Sequence, residues 1–272
     1  MNKLDNAKRA QIVRCLVEGN SIRATVRLTG CSKNTIAKLL VELGAACLEY
    51  MDKTLVDLSC NLVQVDEIWS FVGAKQKNVT PENGAYGDVW TWIAIDAETK
   101  LIPCFAIGQR DAETAREFIQ DLAYRMRNRI QLTSDGHRAY IKAVQGAFGN
   151  DIDYAMLVKV YGQSDPEGAR RYSPAQCVGC ERQRIIGGPD PRYISTSYVE
   201  RQNLTLRMQN RRFTRLTNAF SKKLTNHIAS LAIHYMHYNF VRIHQTLRMT
   251  PAIAAGVTAH LWDVEDVVKL LG

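Results

Sequence analysis

The feature that most constrains the fold is a change of hydrophobic period near residue 60. Before it, apolar residues recur every three or four positions, as in Ile12, Val13, Leu16 and Val17, and again in Ile36, Leu39, Leu40 and Leu43. That spacing predicts helices over 5–18, 22–28 and 33–43, with Val26 and Leu28 as the core of the second. Gly19-Asn20 ends the first helix, Ser21 caps the second, Thr29-Gly30-Cys31 makes a tight turn and Ser32 caps the third. Residues 45–60 read as a helical connection. From Leu62 the apolar runs shorten, predicting strands over 61–68, 89–96 and 101–107, the last two as a hairpin. A helix over 112–127 follows, then a strand over 129–133 ending at Ser134-Asp135-Gly136, a helix over 137–147 and a strand over 154–160. Residues 162–197 are polar and rich in Gly and Pro, an ordered insertion or a mobile loop. A long helix runs from 196–198 to about 220, and another covers 224–239.

This order gives an α/β chain. Three meandering strands followed by alternating helices and strands match an RNase H-like mixed sheet with helices on both faces. The three N-terminal helices have the helix-turn-helix pattern, with the third as reader. Its early positions Lys33, Asn34, Thr35 and Lys38 can reach phosphates or base edges; the same pattern also fits a small helical bundle with no nucleic-acid role.

Hydrophobic residues make up 46% of the 272, enough to bury a core, which excludes disorder over the whole chain. The formal charge of +8 is informative through its placement. From Arg201 to Lys223 there are seven basic residues, Arg211 and Arg212 among them, and no acidic one. A solvated helix usually mixes signs, so a phosphate-facing surface is the stronger reading. Seven scattered cysteines give no disulfide framework, and no run approaches a membrane span. A reducing, cytoplasmic and nucleoid-associated setting is expected, without a membrane partner.

Three carboxylates stand out. Asp66 lies in the first strand, with Leu62 and Gln64 on its face and Val63 and Val65 opposite. Asp135 ends the fourth strand, and Glu200 sits in the first turn of the long helix. In the expected sheet the first and fourth strands are neighbours, so Asp66, Asp135 and Glu200 can meet at one edge. There they could hold two Mg²⁺ or Mn²⁺ ions about 3.5–4 Å apart for in-line displacement at a phosphodiester. Taken singly, each also fits a turn cap or a surface charge. Glu67 is an alternative ligand, but strand alternation turns it away from Asp66. Arg207 is two helical turns beyond Glu200 and faces the same way, suited to a phosphate. Asn203 shares that face, either touching substrate or lying as a surface amide.

The wording of three blocks is similar to the insertion sequence one family of bacterial transposases. They are Asp66-Glu67-Ile68-Trp69-Ser70-Phe71-Val72-Gly73-Ala74-Lys75, Thr133-Ser134-Asp135-Gly136-His137-Arg138-Ala139-Tyr140, and Glu200-Arg201-Gln202-Asn203-Leu204-Thr205-Leu206-Arg207. The likeness spans about residues 60–225. It implies a catalytic triad at Asp66, Asp135 and Glu200, cutting at the ends of a mobile element and joining of 3′-hydroxyls to target DNA. The expected organisation is a helix-turn-helix domain over 1–46, a catalytic domain over 60–240 with the insertion 162–197, and a C-terminal tail over 241–272. Double-stranded DNA, as terminal inverted repeats and target, is the expected partner, bound by a homodimer or larger assembly.

The segment from Tyr238 to Pro251 resembles the close of integrase-type insertion-sequence transposases, with His244 either packing or touching DNA. The chain departs from the family in lacking an N-terminal zinc cluster. Cys177 and Cys180 supply only two ligands, and zinc would need His137 or His244 to complete the set. Tyr140 and Tyr198 flank the expected site. Two other readings stay open: a transposase-derived DNA-binding regulator without catalysis, and a structure-selective DNA nuclease.

Overall fold

A computed structural model describes residues 4–80, 86–162 and 177–272. Its first three helices are α1 (Asn6–Val17), α2 (Ile22–Thr29) and α3 (Lys33–Thr54). Each start is capped by a side chain that accepts a first-turn amide: Asp5 from Lys8, Ser21 from Ala24 and Ser32 from Thr35. Gly30 closes α2 in the left-handed region, at φ 71°, which a glycine adopts without steric cost.

Two expectations fail here. Leu28 is 59% exposed, and α2 buries Thr25 and Thr29 instead. Their hydroxyls donate to the carbonyls of Ser21 and Thr25, at 3.0 and 2.7 Å, so burial leaves no polar group unpaired. The third helix does not stop near Leu43 but continues to Thr54, so residue 46 falls inside it. The stripe of Ile36, Leu39, Leu40 and Leu43 is prolonged by Cys47 and Met51.

The sheet has the strands β1 (Leu62–Val72), β2 (Gly87–Asp96), β3 (Phe105–Gly108), β4 (Gln131–Ser134), β5 (Asp153–Tyr161) and β6 (Cys177–Ile186). Among the described residues they form one mixed sheet in the order β3-β2-β1-β4-β5-β6. The β1–β2, β2–β3 and β5–β6 pairs are antiparallel, while β4 runs parallel to β1 and β5. Helix α4 (Ala112–Arg125) leads from β3 into β4, α5 (Ala139–Phe148) connects the parallel β4 and β5, and α6 (Ser197–Gln209) and α7 (Leu224–Met236) follow the sheet. One apolar core joins all these layers. It runs from Ala10 and Val13 in α1 through Leu43 in α3, Val65 and Trp92 in the sheet and Phe118 in α4, to Leu231 in α7. At Gly44 two helices cross closely: a Cβ there would lie 2.5 Å from the Cα of Ala229, so α3 and α7 meet nearly backbone to backbone.

Part of the expected insertion is a strand. β6 is exposed along most of its length, so it has no apolar alternation to betray it. Residues 163–176 of that insertion lie outside the described residues, and after β6 a 3-10 turn (Pro191–Tyr193) leads into α6. Helix α6 also ends earlier than expected, at Gln209. The Asn210 side chain takes the amide of Arg212 at 3.2 Å, competing with the helix, and a 3-10 turn (Arg211–Phe213) follows. Beyond Phe213 no apolar stripe continues, and Leu216 is 92% exposed. Arg211 and Arg212 are therefore not on a helix face shared with Glu200.

The end of the chain folds back. A π turn (His237–Val241) carries buried Asn239, whose amide takes the Ile102 NH at 3.0 Å and donates to its carbonyl at 2.9 Å. After α8 (Pro251–Ala254), helix α9 (Val264–Lys269) buries Val264, Val267 and Val268. Glu265 pairs there with Arg14 of α1 at 2.5 Å. No helix among the described residues is long and apolar enough to cross a membrane.

Candidate active site

Strands β1 and β4 pair from Leu62↔Gln131 to Gln64↔Thr133 and then part, because β4 ends at Ser134 while β1 runs on. The opening left beside β1 receives the carboxylates. Asp66 and Glu67 are the second and third β1 residues after the paired stretch, and Asp135 is the first residue after β4. One oxygen from each of Asp66, Glu67 and Asp135 lies within 4.8 Å of the others. The expectation that alternation would hold Glu67 away from Asp66 is thus wrong. Beyond the last β1–β4 pair both side chains can reach the opening from opposite faces of the strand.

Helix α6 is aimed at the same place. Its Thr196 cap makes no hydrogen bond to a first-turn amide, and Gln64 of β1 substitutes, accepting from the amides of Tyr198 and Val199 at 2.9 and 3.2 Å. This fixes the helix start two residues from Asp66 along the strand. Asn203, one turn further, donates to Asp66 Oδ2 at 2.7 Å. Asn203 is therefore buried against the carboxylate, not a surface amide. Glu200 and Arg207 line the same open cleft of about 600 Å³, together with Asp66, Glu67, Asp135 and Asn203.

The four carboxylates differ in how they are balanced. Burial, then the charges of Glu67 and Asp135, push Asp66 up to about 7. Glu67 is raised for the same two reasons, burial and Asp135, against the opposing pull of its partners. Those partners take both its oxygens: Arg110 Nε donates to Oε1 at 2.6 Å, and the Tyr140 hydroxyl donates to Oε2 at 3.0 Å. Arg110 also reaches Asp135 at 3.8 Å and lies over the Trp90 ring, 5.1 Å from its centroid. Asp135 accepts the His137 amide at 2.9 Å, which sets its turn. Glu200 stands apart from the tight cluster, held by Lys159 at 2.6 Å and by the Thr196 hydroxyl at 2.5 Å. Burial draws Arg207 below its ordinary value, Arg215 adds to this, and Asp66 opposes it.

Arg110, Lys159, Gln64 and Thr196 escape the reading of the sequence. Gln64 alone left a signal, as an amide two residues before Asp66 on its strand face. Arg110 and Lys159 come from a loop and a strand with no motif of their own. Tyr140 is fully buried against Glu67, whereas Tyr198 is 43% exposed beneath Lys100. Among the described residues no histidine joins Cys177 and Cys180 in a metal-ligand cluster.

Of the expected DNA-contacting residues, Asn203 and Arg207 line this cleft and the other six lie elsewhere. Lys33 and Asn34 are exposed at the start of α3, while Thr35 shares a 2.8 Å hydroxyl contact with Ser32, and Lys38 pairs with Glu42 at 3.7 Å. Arg212 donates to Ser221 and Ser230 at 2.7 and 2.8 Å, tying its segment to α7.

The chain is 25% identical over 166 residues to the insertion element iso-IS1n protein InsB of Shigella dysenteriae, covering 61% of this chain and 87% of that protein. The resemblance to the insertion sequence one family is borne out. No family model matches. Among solved structures, the piggyBac transposase synaptic complex with hairpin DNA aligns over 98% of this chain and 69% of that one. Its identity is 10% and its TM-score 0.42, too low to argue from. The likeness to an insertion-element protein therefore rests on sequence.

Proposed function

We propose that the chain is a DNA transposase whose carboxylate cleft cuts DNA at the ends of a mobile element and transfers the 3′-hydroxyl strands into target DNA. The single observation that carries this is the convergence of Asp66, Glu67 and Asp135 within 4.8 Å in a cleft that Glu200 and Arg207 also line. Likeness to an insertion-element protein supports it. The strand order, with a three-strand meander followed by parallel β4 and β5, supports an RNase H-like assignment. The three capped helices support a helix-turn-helix reader.

The donor set fits a hard divalent cation. It is all oxygen, and Asp66 is raised toward neutrality by burial and its acidic neighbours, so the negative charge there lacks a full counter-charge. Asp66, Asp135 and Glu200 are the residues to hold Mg²⁺ or Mn²⁺, because Glu67 already spends both oxygens on Arg110 and Tyr140. Bound there, such ions would supply Lewis-acid activation of the attacking hydroxyl and charge stabilisation of the leaving oxygen. The chain's own groups do the positioning. Asn203 fixes Asp66, Arg110 and Tyr140 fix Glu67 behind it, and Lys159 keeps Glu200 at the rim. Arg207, also in the cleft, is placed to pair with a phosphate of the entering strand. Two element ends must be joined in one event, so a homodimer or larger assembly would act.

The test is a strand-transfer assay on labelled DNA carrying the flanking repeats, in Mg²⁺ or Mn²⁺, with Asp66→Ala, Asp135→Ala and Glu200→Gln alongside. Joined products from the wild type that disappear in all three variants support the proposal. Repeat binding without cleavage in either metal would assign the chain to regulators, and cleavage indifferent to end sequence would assign it to nucleases.

A further inference from the structure

A larger cleft, about 890 Å³, lies apart from the carboxylates, between the N-terminal helices and the segment that leads from α6 into α7. One wall is the start of α2 and of α3, with Arg23 and Lys33. The other is the 211–226 segment, with Arg211, Arg212, Lys222 and Asn226. Every charged side chain that lines it is basic.

Three observations point to an anion. None of Arg23, Lys33, Arg211, Arg212 or Lys222 forms an ion pair among the described residues, although Lys38 and Arg14, on the same N-terminal helices, both do. The Nε of Arg211 is buried and meets no hydrogen-bond partner, a cost that a bound acceptor would remove. The Ser21 hydroxyl takes the Ala24 amide at 3.0 Å, and Ile22 and Arg23, whose amides no helical carbonyl can reach, line the cleft. A lone small anion would need one or two such groups. Five cations along two walls suit a polymer of phosphates.

We propose that this groove grips the sugar–phosphate backbone of a DNA duplex, separately from the carboxylate cleft. Arg23 and Lys33 hold it from the reader side and Arg211 and Lys222 from the core side. Arg212 shapes the wall through its two serines. Because the walls belong to α2 and α3 on one side and the α6–α7 connection on the other, the same duplex is held by both parts of the molecule. This rests on the reading of DNA as substrate.

The test is fluorescence anisotropy of the full chain with a labelled duplex that lacks the flanking repeats, over a range of salt concentrations and without divalent metal. Arg23→Gln with Lys222→Gln, both exposed positions, is expected to lower the log–log salt slope by about two and to weaken binding roughly alike on every sequence. Lys222→Glu, checked for an unchanged melting curve, gives a second reading should the double variant fold poorly. A double variant with wild-type affinity and salt slope would overturn the groove while leaving metal-dependent strand transfer standing. Saturation by inorganic phosphate with no competition from DNA would overturn it as well. A wild type that binds no duplex would remove both this proposal and the transposase reading.

Discussion

The carboxylate cleft and the basic groove carry opposite charge, and they are built in opposite ways. The cleft's acids stand on or directly after regular elements: two on β1, one at the end of β4, one in the first turn of α6. They are crowded and partly buried, and their charge is met by Arg110 and Lys159 at some oxygens and not at others. The groove's cations come from two helix starts and an irregular segment, and they have no acidic partners among the described residues. The difference teaches that a rigid acidic set suits a small ion of fixed geometry, while a looser basic set suits a ligand that can slide. In the proposed reading, the first places chemistry and the second grips a duplex.

The largest effect that can break this comparison is on catalysis. Asp66→Asn, Asp135→Asn and Glu200→Gln should each lower the strand-transfer rate by at least about a hundredfold, with duplex binding near wild type. Glu67→Gln keeps the hydrogen-bonding shape toward Arg110 and Tyr140 and should cost less than these three. Single-turnover kinetics beside an anisotropy titration measures both. A binding loss as large as the rate loss would merge the two regions into one.

Next comes pH, where the two regions should move in opposite directions. Asp66 is raised from 3.8 to about 7. Between those values the folded state binds more protons than the unfolded one, so Asp66 costs stability as pH rises, fully above 7. The advantage of Asp66→Asn over the wild type should therefore grow from pH 4 to 7 by on the order of a few kcal/mol in cation-free buffer, and Mn²⁺ should shrink it. Behind the groove, His227 packs on Phe213 at 5.2 Å, and burial and Arg212 draw it from 6.5 to about 4. Here the unfolded state binds the extra proton, so stability falls as pH drops from about 6.5 toward 4. Denaturant melts of Asp66→Asn and His227→Gln across that range resolve the two signs; a shared sign would contradict the assignment.

A smaller effect concerns the joint between the regions. Gly44→Ala puts a Cβ 2.5 Å from the Ala229 Cα, and should destabilise by roughly 1–3 kcal/mol in chemical melts. An unchanged melt would mean that α3 and α7 are free to separate. The smallest effect is expected from Lys159→Ala, which frees Glu200 from one of its two partners. It should change the rate less than tenfold in saturating metal and raise the metal concentration needed, as a metal titration of the rate would reveal.

How much of this was legible follows from where each residue sits. Asp66, Asp135 and Glu200 were singled out by the three blocks that resemble the insertion sequence one family, since taken singly each also fits a turn cap or a surface charge; they line one cleft. Glu67 was misjudged because alternation, which β1 keeps through its pairing with β2, does not stop carboxylates on opposite faces from meeting at an opening that β4 has left beside the strand. The long helix was carried on to about residue 220, since nothing in the charge of that segment marks Asn210 as the breaker. β6 stayed hidden because an edge strand wet on both faces has no period of two. The groove was half visible, as Lys33 and Arg211, but Arg23 and Lys222 belong to it only through the packing of α3 on α7.

The most direct test of the account is a calorimetric titration of Mn²⁺ into the full chain near neutral pH, with Asp66→Asn, Glu67→Gln and the Arg23→Gln/Lys222→Gln double variant beside the wild type. The account predicts binding that Asp66→Asn abolishes, that Glu67→Gln weakens modestly and that the groove variant leaves unchanged. Binding that survives Asp66→Asn, or depends on the groove residues, would contradict it.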